Sequence, residues 1–229
     1  MRRLMPLAVT LVLAACTAAF PTSSMPAGLR PVPVADVDAW VASTRPTHHA
    51  QLRFHWRFIQ DGSSGGRGGV MIAPPDSLRL DFRGPLGCCS GAAAVIGDSA
   101  LWAEPEDQVQ KLVPSYPLLW AMVGVARPPR GQWELQGYHD INLAAWRYTR
   151  GTDTVDYIWT HTAINRLEAY VREGGKPVGR VVTVFDAEGH PVRSRLNVLV
   201  APARLDITFD LVTRQIPFNR EAWLAPHDQ

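Results

Sequence analysis

An alternation of large apolar and polar side chains constrains this 229-residue chain more than any other feature. From Leu52 to Phe58 every second residue is large and apolar, and those between are Arg53, His55 and Arg57. This period is that of a strand with one buried and one wet face. The same alternation recurs in segments 78–82, 155–159, 167–171, 181–185, 196–200 and 205–211. The pattern predicts an antiparallel sheet of roughly ten short strands with one apolar face.

Two helical segments are available to cover that face. The first has Asp36 as its expected cap and ends before Pro46. Its apolar side is predicted to comprise Val34, Val37, Trp40 and Val41. The second, residues 114–125, is apolar nearly all round, with Ser115 as the expected cap and Gly124 as a stop signal. A helix without a polar side either plugs a core or faces an apolar cavity.

The first fifteen residues have the form of an export signal. Arg2 and Arg3 precede a short apolar run, and the sequence Leu-Ala-Ala-Cys that ends at Cys16 resembles the bacterial lipoprotein signal. That resemblance implies acylation of Cys16 and removal of residues 1–15. Thr17, where an aspartate would retain a lipoprotein in the inner membrane, favours the outer membrane. The alternative is an ordinary signal peptide cut near Ala18-Ala19, in which case Cys16 has no role.

The rest of the chain divides into three parts. Residues 16–33 are rich in Pro, Ser and Ala and are predicted to be a lipid anchor with a flexible tether. Residues 34–212 form the predicted folded domain, and residues 213–229 form a tail. Loss of the two signal arginines brings the formal charge of +2 to neutrality, which gives no electrostatic case for nucleic acid.

The remaining cysteines, Cys88 and Cys89, are adjacent in sequence. The usual Cα separation in a disulfide exceeds that between neighbours, so a bridge between them would be strained. Two free thiols, a strained bridge and metal ligation are the three interpretations. Free thiols are favoured over a metal site, because no second cysteine pair or nearby histidine pair completes a ligand set.

The sequence gives little support for catalysis. The chain lacks HExxH and a P-loop, and its GxSxG match, Gly62-Ser63-Ser64-Gly65-Gly66, lies between two predicted strands instead of between a strand and a helix. The glycine-rich run at 62–69 lies between two strands, whereas phosphate cradling needs a helix N-terminus there. His48-His49 is expected to be a surface pair, and His139-Asp140 is expected to lie in a loop. We therefore expect a protein that is not an enzyme and holds no cofactor or metal.

Three short motifs follow one another along the chain: the lipoprotein signal, a strand ending in "DFRGPLG", and the helical "LLWAMVG". In this order residues 34–212 resemble the LolA/LolB superfamily of lipoprotein carriers and outer-membrane receptors. The resemblance implies an α+β, mostly β fold, an antiparallel half-open β-barrel of about ten to eleven strands. Short helices would cover an apolar cavity. The cavity candidates are Phe54, Trp56, Phe58, Leu80, Phe82, Leu119, Trp120, Met122 and Val123.

The same resemblance gives Leu86 a role. It lies between Pro85 and Gly87, where LolB-like proteins expose a leucine that helps to deliver cargo to the membrane. Leu86 is therefore predicted to be the tip of a membrane-insertion loop. The alternative is that it folds back as a small packing contact. The Cys88-Cys89 pair departs from the family pattern and puts the freedom of the loop in doubt.

Two functions follow from these expectations. The first is a lipid-anchored outer-membrane protein, facing the periplasm, that binds acyl chains of lipoproteins or other lipids and helps to insert them. Its partners would be acylated lipoproteins and a periplasmic carrier protein. The second is a non-catalytic structural or assembly lipoprotein with a filled core and a protein partner. Cavity and core present the same alternation, so the sequence alone does not separate the two.

Overall fold

A computed structural model describes residues 20, 22–85, 90–106, 109, 115–214 and 217–225, and for 211–214 it describes the backbone alone. The predictions for Cys16, Leu86 and the Cys88-Cys89 pair lie outside the described residues.

One open antiparallel sheet dominates the described part of the chain. Its thirteen strands are β1 (Arg30–Pro31), β2 (Ala50–Ile59), β3 (Ser63–Ala73), β4 (Ser77–Arg83), β5 (Gly91–Ile96), β6 (Ser99–Glu104), β7 (Glu134–His139), β8 (Leu143–Arg150), β9 (Asp153–Thr160), β10 (Arg166–Glu173), β11 (Lys176–Phe185), β12 (Pro191–Val198) and β13 (Ala203–Arg214). Their order across the sheet is β1-β7-β8-β9-β10-β11-β12-β13-β2-β3-β4-β5-β6.

The mostly β, antiparallel and open character predicted from the sequence is confirmed, but the predicted strand number is too low. The structure has thirteen strands rather than ten or eleven. One extra strand, β1, is only two residues long and pairs with Gln136 and Gly137 of β7. The alanine-rich β5 escaped notice because its small side chains give little contrast between its two faces.

In the described part of the chain, two helices cover one face of the sheet, which we call the inner face. They are α1 (Val34–Thr44) and α2 (Tyr116–Met122). The core between helices and sheet includes fully buried Trp120, Trp146, Tyr157 and Phe54. The opposite side is the outer face, which carries most of the arginines of the strands.

The two helices begin differently from each other. Ser115 caps α2 as predicted, since its side chain accepts a hydrogen bond from the backbone N–H of Leu118 at 3.5 Å. Asp36 does not cap α1: it lies in the first turn, and Pro33 occupies the cap position without a side-chain bond. The prediction that Val34 belongs to the buried side of α1 is also wrong, because this first residue of the helix is 63% exposed.

The N-terminal segment lies against the outer face, around the carboxylate of Glu168. The backbone N–H of Ser23 donates to both carboxylate oxygens of Glu168, at 2.9 and 3.1 Å. Arg166 and Arg180 pair with the same carboxylate and also donate to the Ser23 hydroxyl and carbonyl. Farther along the face, the guanidinium of Arg195 lies 4.2 Å from the ring centre of Phe20. We call this arrangement the Ser23 clamp.

The C-terminal segment crosses the outer face at the other side of the sheet. Arg79 donates to the carbonyls of Ala222 at 2.8 Å and Leu224 at 3.2 Å. The indole N–H of Trp102 donates to the carbonyl of Trp223 at 2.8 Å. Both described ends of the chain are therefore held on the outer face.

The two ends of the strands form two rims. Rim A carries the turns at 74–76, 97–98, 140–142, 161–165 and 186–190, and rim B carries the turns at 60–62, 151–152, 174–175 and 199–202. On rim B the turn between β10 and β11 consists of Gly174 and Gly175, which have positive φ angles of 56° and 75°. This tight hairpin suits glycine because L amino acids, which carry a Cβ atom, rarely adopt positive φ angles.

Candidate functional site

A pocket of about 460 Å³ lies on the inner face where β4, β5 and β6 meet the first half of α2. Its walls are mainly aliphatic and small side chains. They are Leu78, Leu80, Ala93, Val95, Ala100, Ala103, Val109, Pro117 and Leu119, with Tyr116, Ser115, Glu106 and Glu173 completing the lining. Pockets for small ligands ordinarily measure about 300–1,000 Å³, so this space is of that size.

The pocket exists because small residues face each other across two strands. Ala93 of β5 pairs with Ala103 of β6, and Val95 pairs with Ala100. A directly opposed pair of alanines leaves the space that two larger side chains would fill. These alanines are site residues that sequence reasoning missed. The signal was the run of small residues at 91–94 inside a strand.

Helix α2 closes the pocket and is fixed at its far end. The hydroxyl of Thr183 donates to the carbonyl of Ala121 at 2.6 Å, and the indole N–H of Trp120 donates to the carbonyl of Gly97 at 2.8 Å. Gly124 follows the helix with a φ of 86°, and an added Cβ there would lie 2.6 Å from the Phe185 ring. The C-terminal half of α2 is thus held in the core, while its first turn borders the pocket.

Polar residues mark the pocket at rim B. Glu106 follows β6 and Glu173 ends β10, and both are exposed. Ser115, at the start of α2, completes this polar border. The pocket therefore has an aliphatic interior and carboxylates at one edge, on the rim at which β4 ends and β5 begins.

The structure divides the predicted cavity residues into three groups. Leu80 and Leu119 line the pocket. Val123 lines a separate space of about 280 Å³ near rim A, bordered by His48 and His190. The others belong to the packed core or to its edge, and these are Phe54, Trp56, Phe58, Phe82, Trp120 and Met122.

The aromatic residues of β2 and β4 pack on one another instead of lining a space. The ring centre of Phe82 lies 5.5 Å from that of Phe54 and 5.8 Å from that of Trp56, both edge-on. The Trp56 indole N–H donates to the carbonyl of Arg67 at 3.1 Å. Gly68 is required beneath them, because a Cβ there would lie 2.3 Å from the Phe54 ring. This part of the inner face is filled.

Two tyrosines, Tyr148 and Tyr157, are buried in the core beneath the helices. Burial raises the pKa of Tyr157 well above its ordinary value, and its hydroxyl donates to the carbonyl of Arg127 at 2.7 Å. Burial likewise raises the pKa of Tyr148. Among the described residues, no group of three or more metal-ligating side chains occurs. No helix in the described ranges has the length and hydropathy needed to cross a bilayer.

No family model matches the sequence, and no curated protein matches it. Solved structures do align with it. A LolA superfamily protein from Nitrosomonas europaea aligns with a TM-score of 0.49 at 10% identity, over 86% of this chain and 99% of its own. A DUF1329 family protein from Desulfovibrio piger aligns with a TM-score of 0.37 at 8% identity, over 87% and 99%.

A third match is named as an outer membrane lipoprotein-sorting protein domain and comes from Vibrio parahaemolyticus. It aligns with a TM-score of 0.36 at 5% identity, over 82% of this chain and 94% of its own. The chain is thus similar in structure to a LolA superfamily protein and to a lipoprotein-sorting domain.

Proposed function

We propose that this protein is a lipid-anchored envelope protein that binds acyl chains of lipoproteins or other lipids and helps to insert them in the outer membrane. The observation that carries the proposal is the aliphatic pocket of about 460 Å³ between β4–β6 and α2. Its partners would be acylated lipoproteins and a periplasmic carrier that delivers them.

The lining of the pocket suits an acyl chain better than a polar ligand. Burial of a methylene contributes about 0.8 kcal/mol, so extraction of a chain from water needs no chemical step. The carboxylates of Glu106 and Glu173 stand at the border, outside the aliphatic interior. A chain would enter from rim B with its polar head left at that edge.

The predicted roles of Cys16 and Leu86 fit this arrangement. Cys16 would carry the anchor, and Leu86 falls in sequence between β4 and β5, which border the pocket at rim B. In the proposed mechanism Leu86 enters the bilayer surface while the pocket releases its chain. Leu86→Glu should lower lipoprotein delivery in a depletion strain without a change in unfolding midpoint. Undiminished delivery would refute the loop mechanism.

A displacement experiment tests the pocket itself. A Cys16→Ala form, freed of lipid, would be titrated with an environment-sensitive fluorescent fatty acid and then with a triacylated lipopeptide. We expect saturable binding of one probe per chain and full displacement by the lipopeptide. A well-folded protein that binds no probe would exclude the proposed function.

A pair of variants on one strand locates the site. Ala93→Phe places a ring in the pocket and should weaken probe binding at least tenfold. Ile96→Phe, at an exposed position of the same strand, is the matched control and should bind as the parent does. Equal binding by both variants would place the ligand elsewhere.

A second candidate function rests on the filled part of the inner face. Phe54, Trp56 and Phe82 pack on one another in the way of an ordinary core. If side chains fill the whole face, the protein would be a structural or assembly lipoprotein. Its partner would then bind an exposed surface, and the fatty acid probe would not bind.

A further inference from the structure

A second groove, of about 930 Å³, lies on the outer face, on the opposite side of the sheet from the acyl pocket. It runs along β2, β3 and β4 and is closed at one end by residues 219–224 of the C-terminal segment. Four arginines of these strands line it, of which Arg79 is bound to Asp81 and to the C-terminal segment. We call the other three, Arg53, Arg67 and Arg83, the groove arginines.

The strand register brings these three side chains together. Arg67 of β3 pairs directly with Arg83 of β4. Arg53 of β2 pairs with Gly69, two residues from Arg67, which makes Arg53 and Arg67 diagonal neighbours on the same face. Directly opposed residues have Cβ atoms about 4.5–5.5 Å apart and diagonal ones lie about 7–8 Å apart. Three guanidinium groups can therefore reach one point.

The carboxylates near the groove have other partners. Glu221, which lines the groove, accepts a hydrogen bond from the side-chain amide of Asn219 at 3.4 Å. Asp81 accepts from Arg79, with N–O distances of 3.2 and 3.3 Å. Asp210 lies 3.1 Å from the Nε2 of His55. Within the described part of the chain, no carboxylate lies at ion-pair distance from the three groove arginines. A like-charge pair directly across two strands is destabilising, so Arg67 and Arg83 lower the stability of the free protein.

Gly69 keeps the floor of the groove open. A Cβ added there would meet only the Leu52 carbonyl, at 3.6 Å, which is an ordinary contact. Packing therefore does not demand glycine at this position, in contrast to Gly68. The missing side chain leaves space beside Arg53 that a ligand can occupy.

We propose that Arg53, Arg67 and Arg83 form a binding site for a phosphate group. The guanidinium fork donates two parallel hydrogen bonds to phosphate oxygens, and three such groups match a tetrahedral anion. Bound phosphate would also remove the repulsion between Arg67 and Arg83. The phosphate belongs either to a lipid headgroup or to a small soluble molecule. The site is separate from the acyl pocket and does not depend on it.

The test uses the full chain with Cys16→Ala, so that no anchor contributes to membrane binding. One arm measures co-sedimentation with vesicles of phosphatidylglycerol in phosphatidylcholine. The other arm titrates inorganic phosphate and follows the chemical shifts of the arginine side chains. We expect saturable binding in at least one arm, and the arm that responds identifies the source of the phosphate.

Three variants decide whether the site is specific. Arg67→Gln with Arg83→Gln should weaken binding at least tenfold, while Arg45→Gln with Arg172→Gln removes equal charge elsewhere and should change it less than twofold. Gly69→Val fills the floor at constant charge and should also weaken binding several-fold, with an unchanged unfolding midpoint. Absence of binding in both arms would overturn the proposal. An equal loss in the two double variants would overturn it as well, since binding would then follow net charge alone.

Discussion

Strands β2 and β5 both turn an apolar side to the inner face, yet one fills its space and the other leaves a pocket. Strand β2 presents Phe54 and Trp56, which interlock with Phe82 of β4. Strand β5 presents Ala93 and Val95, and the sheet beside it opens into the space under α2. Side-chain volume, rather than apolar character, therefore decides where this sheet is core and where it can take a ligand.

The largest change in stability should come from removing a side chain from the filled part of the inner face, around Phe54. Phe54→Ala removes a ring that is 1% exposed and contacts Phe82 and Phe209, so we expect a loss of about 3–5 kcal/mol in the free energy of unfolding. Urea denaturation measures it. The exposed Leu101→Ala is the control and should lie within about 0.5 kcal/mol of the parent. A loss below about 1 kcal/mol for Phe54→Ala would mean that this part of the inner face is not tightly packed.

Two neighbouring glycines sharpen the comparison between the faces. Gly68→Ala forces a Cβ to 2.3 Å from the Phe54 ring and 2.4 Å from the Asp81 carbonyl, and it should cost about 1–3 kcal/mol. Gly69→Ala points into the outer groove and should be nearly neutral. Thermal unfolding of the pair gives the difference directly. Equal midpoints would contradict the assignment of the two glycines to opposite faces.

Filling the pocket beside β5 and β6 should have a smaller effect on stability. Ala103→Leu adds apolar volume to an existing space, so the free energy of unfolding should stay the same or rise by about 1 kcal/mol. The same variant should weaken binding of the fatty acid probe. A clear loss of stability would show that this region is as tightly packed as β2.

The smallest effect concerns pH at rim A. Burial, followed by the nearby His139, lowers the pKa of His161, whose Nδ1 accepts a hydrogen bond from the Trp159 indole at 2.9 Å. A lowered pKa in the folded state means that the unfolded chain binds the proton more tightly. Stability is then fully present above the ordinary histidine pKa and falls as the pH drops below it.

A comparison of the parent with His161→Gln at pH 7.5 and pH 5 isolates this contribution. The parent should lose slightly more stability on acidification than the variant, as measured by urea midpoints. An identical pH dependence would show that His161 does not contribute.

The sequence predicted what depends on neighbours in the chain. The alternation at 52–58 and 78–82 became the buried side of β2 and β4, and Ser115 caps α2 as expected. These features follow from side-chain period and from a local hydrogen bond. Asp36 failed as a cap because the helix begins before it, after Pro33.

The pocket and the groove depend on contacts that no local pattern encodes. Ala93 and Ala103 form a wall only because β5 and β6 pair in that register. In the sequence, Arg53, Arg67 and Arg83 resemble ordinary solvent-facing residues of strands. Their proximity follows only from the register of β2, β3 and β4. The predicted roles of Cys16 and Leu86 remain predictions, since both residues lie outside the described part of the chain.

If Cys16 carries the proposed lipid anchor, the Ser23 clamp limits how far the folded domain can move from the membrane. Only three residues separate Cys16 from Phe20, which lies against Arg195, and the four Cα–Cα steps between them span at most about 14 Å. A free segment from residue 16 to residue 33 would reach several times farther. With the clamp closed, an anchored protein would stay close to the bilayer surface. It could rotate there, but it could not reach across the space between two membranes.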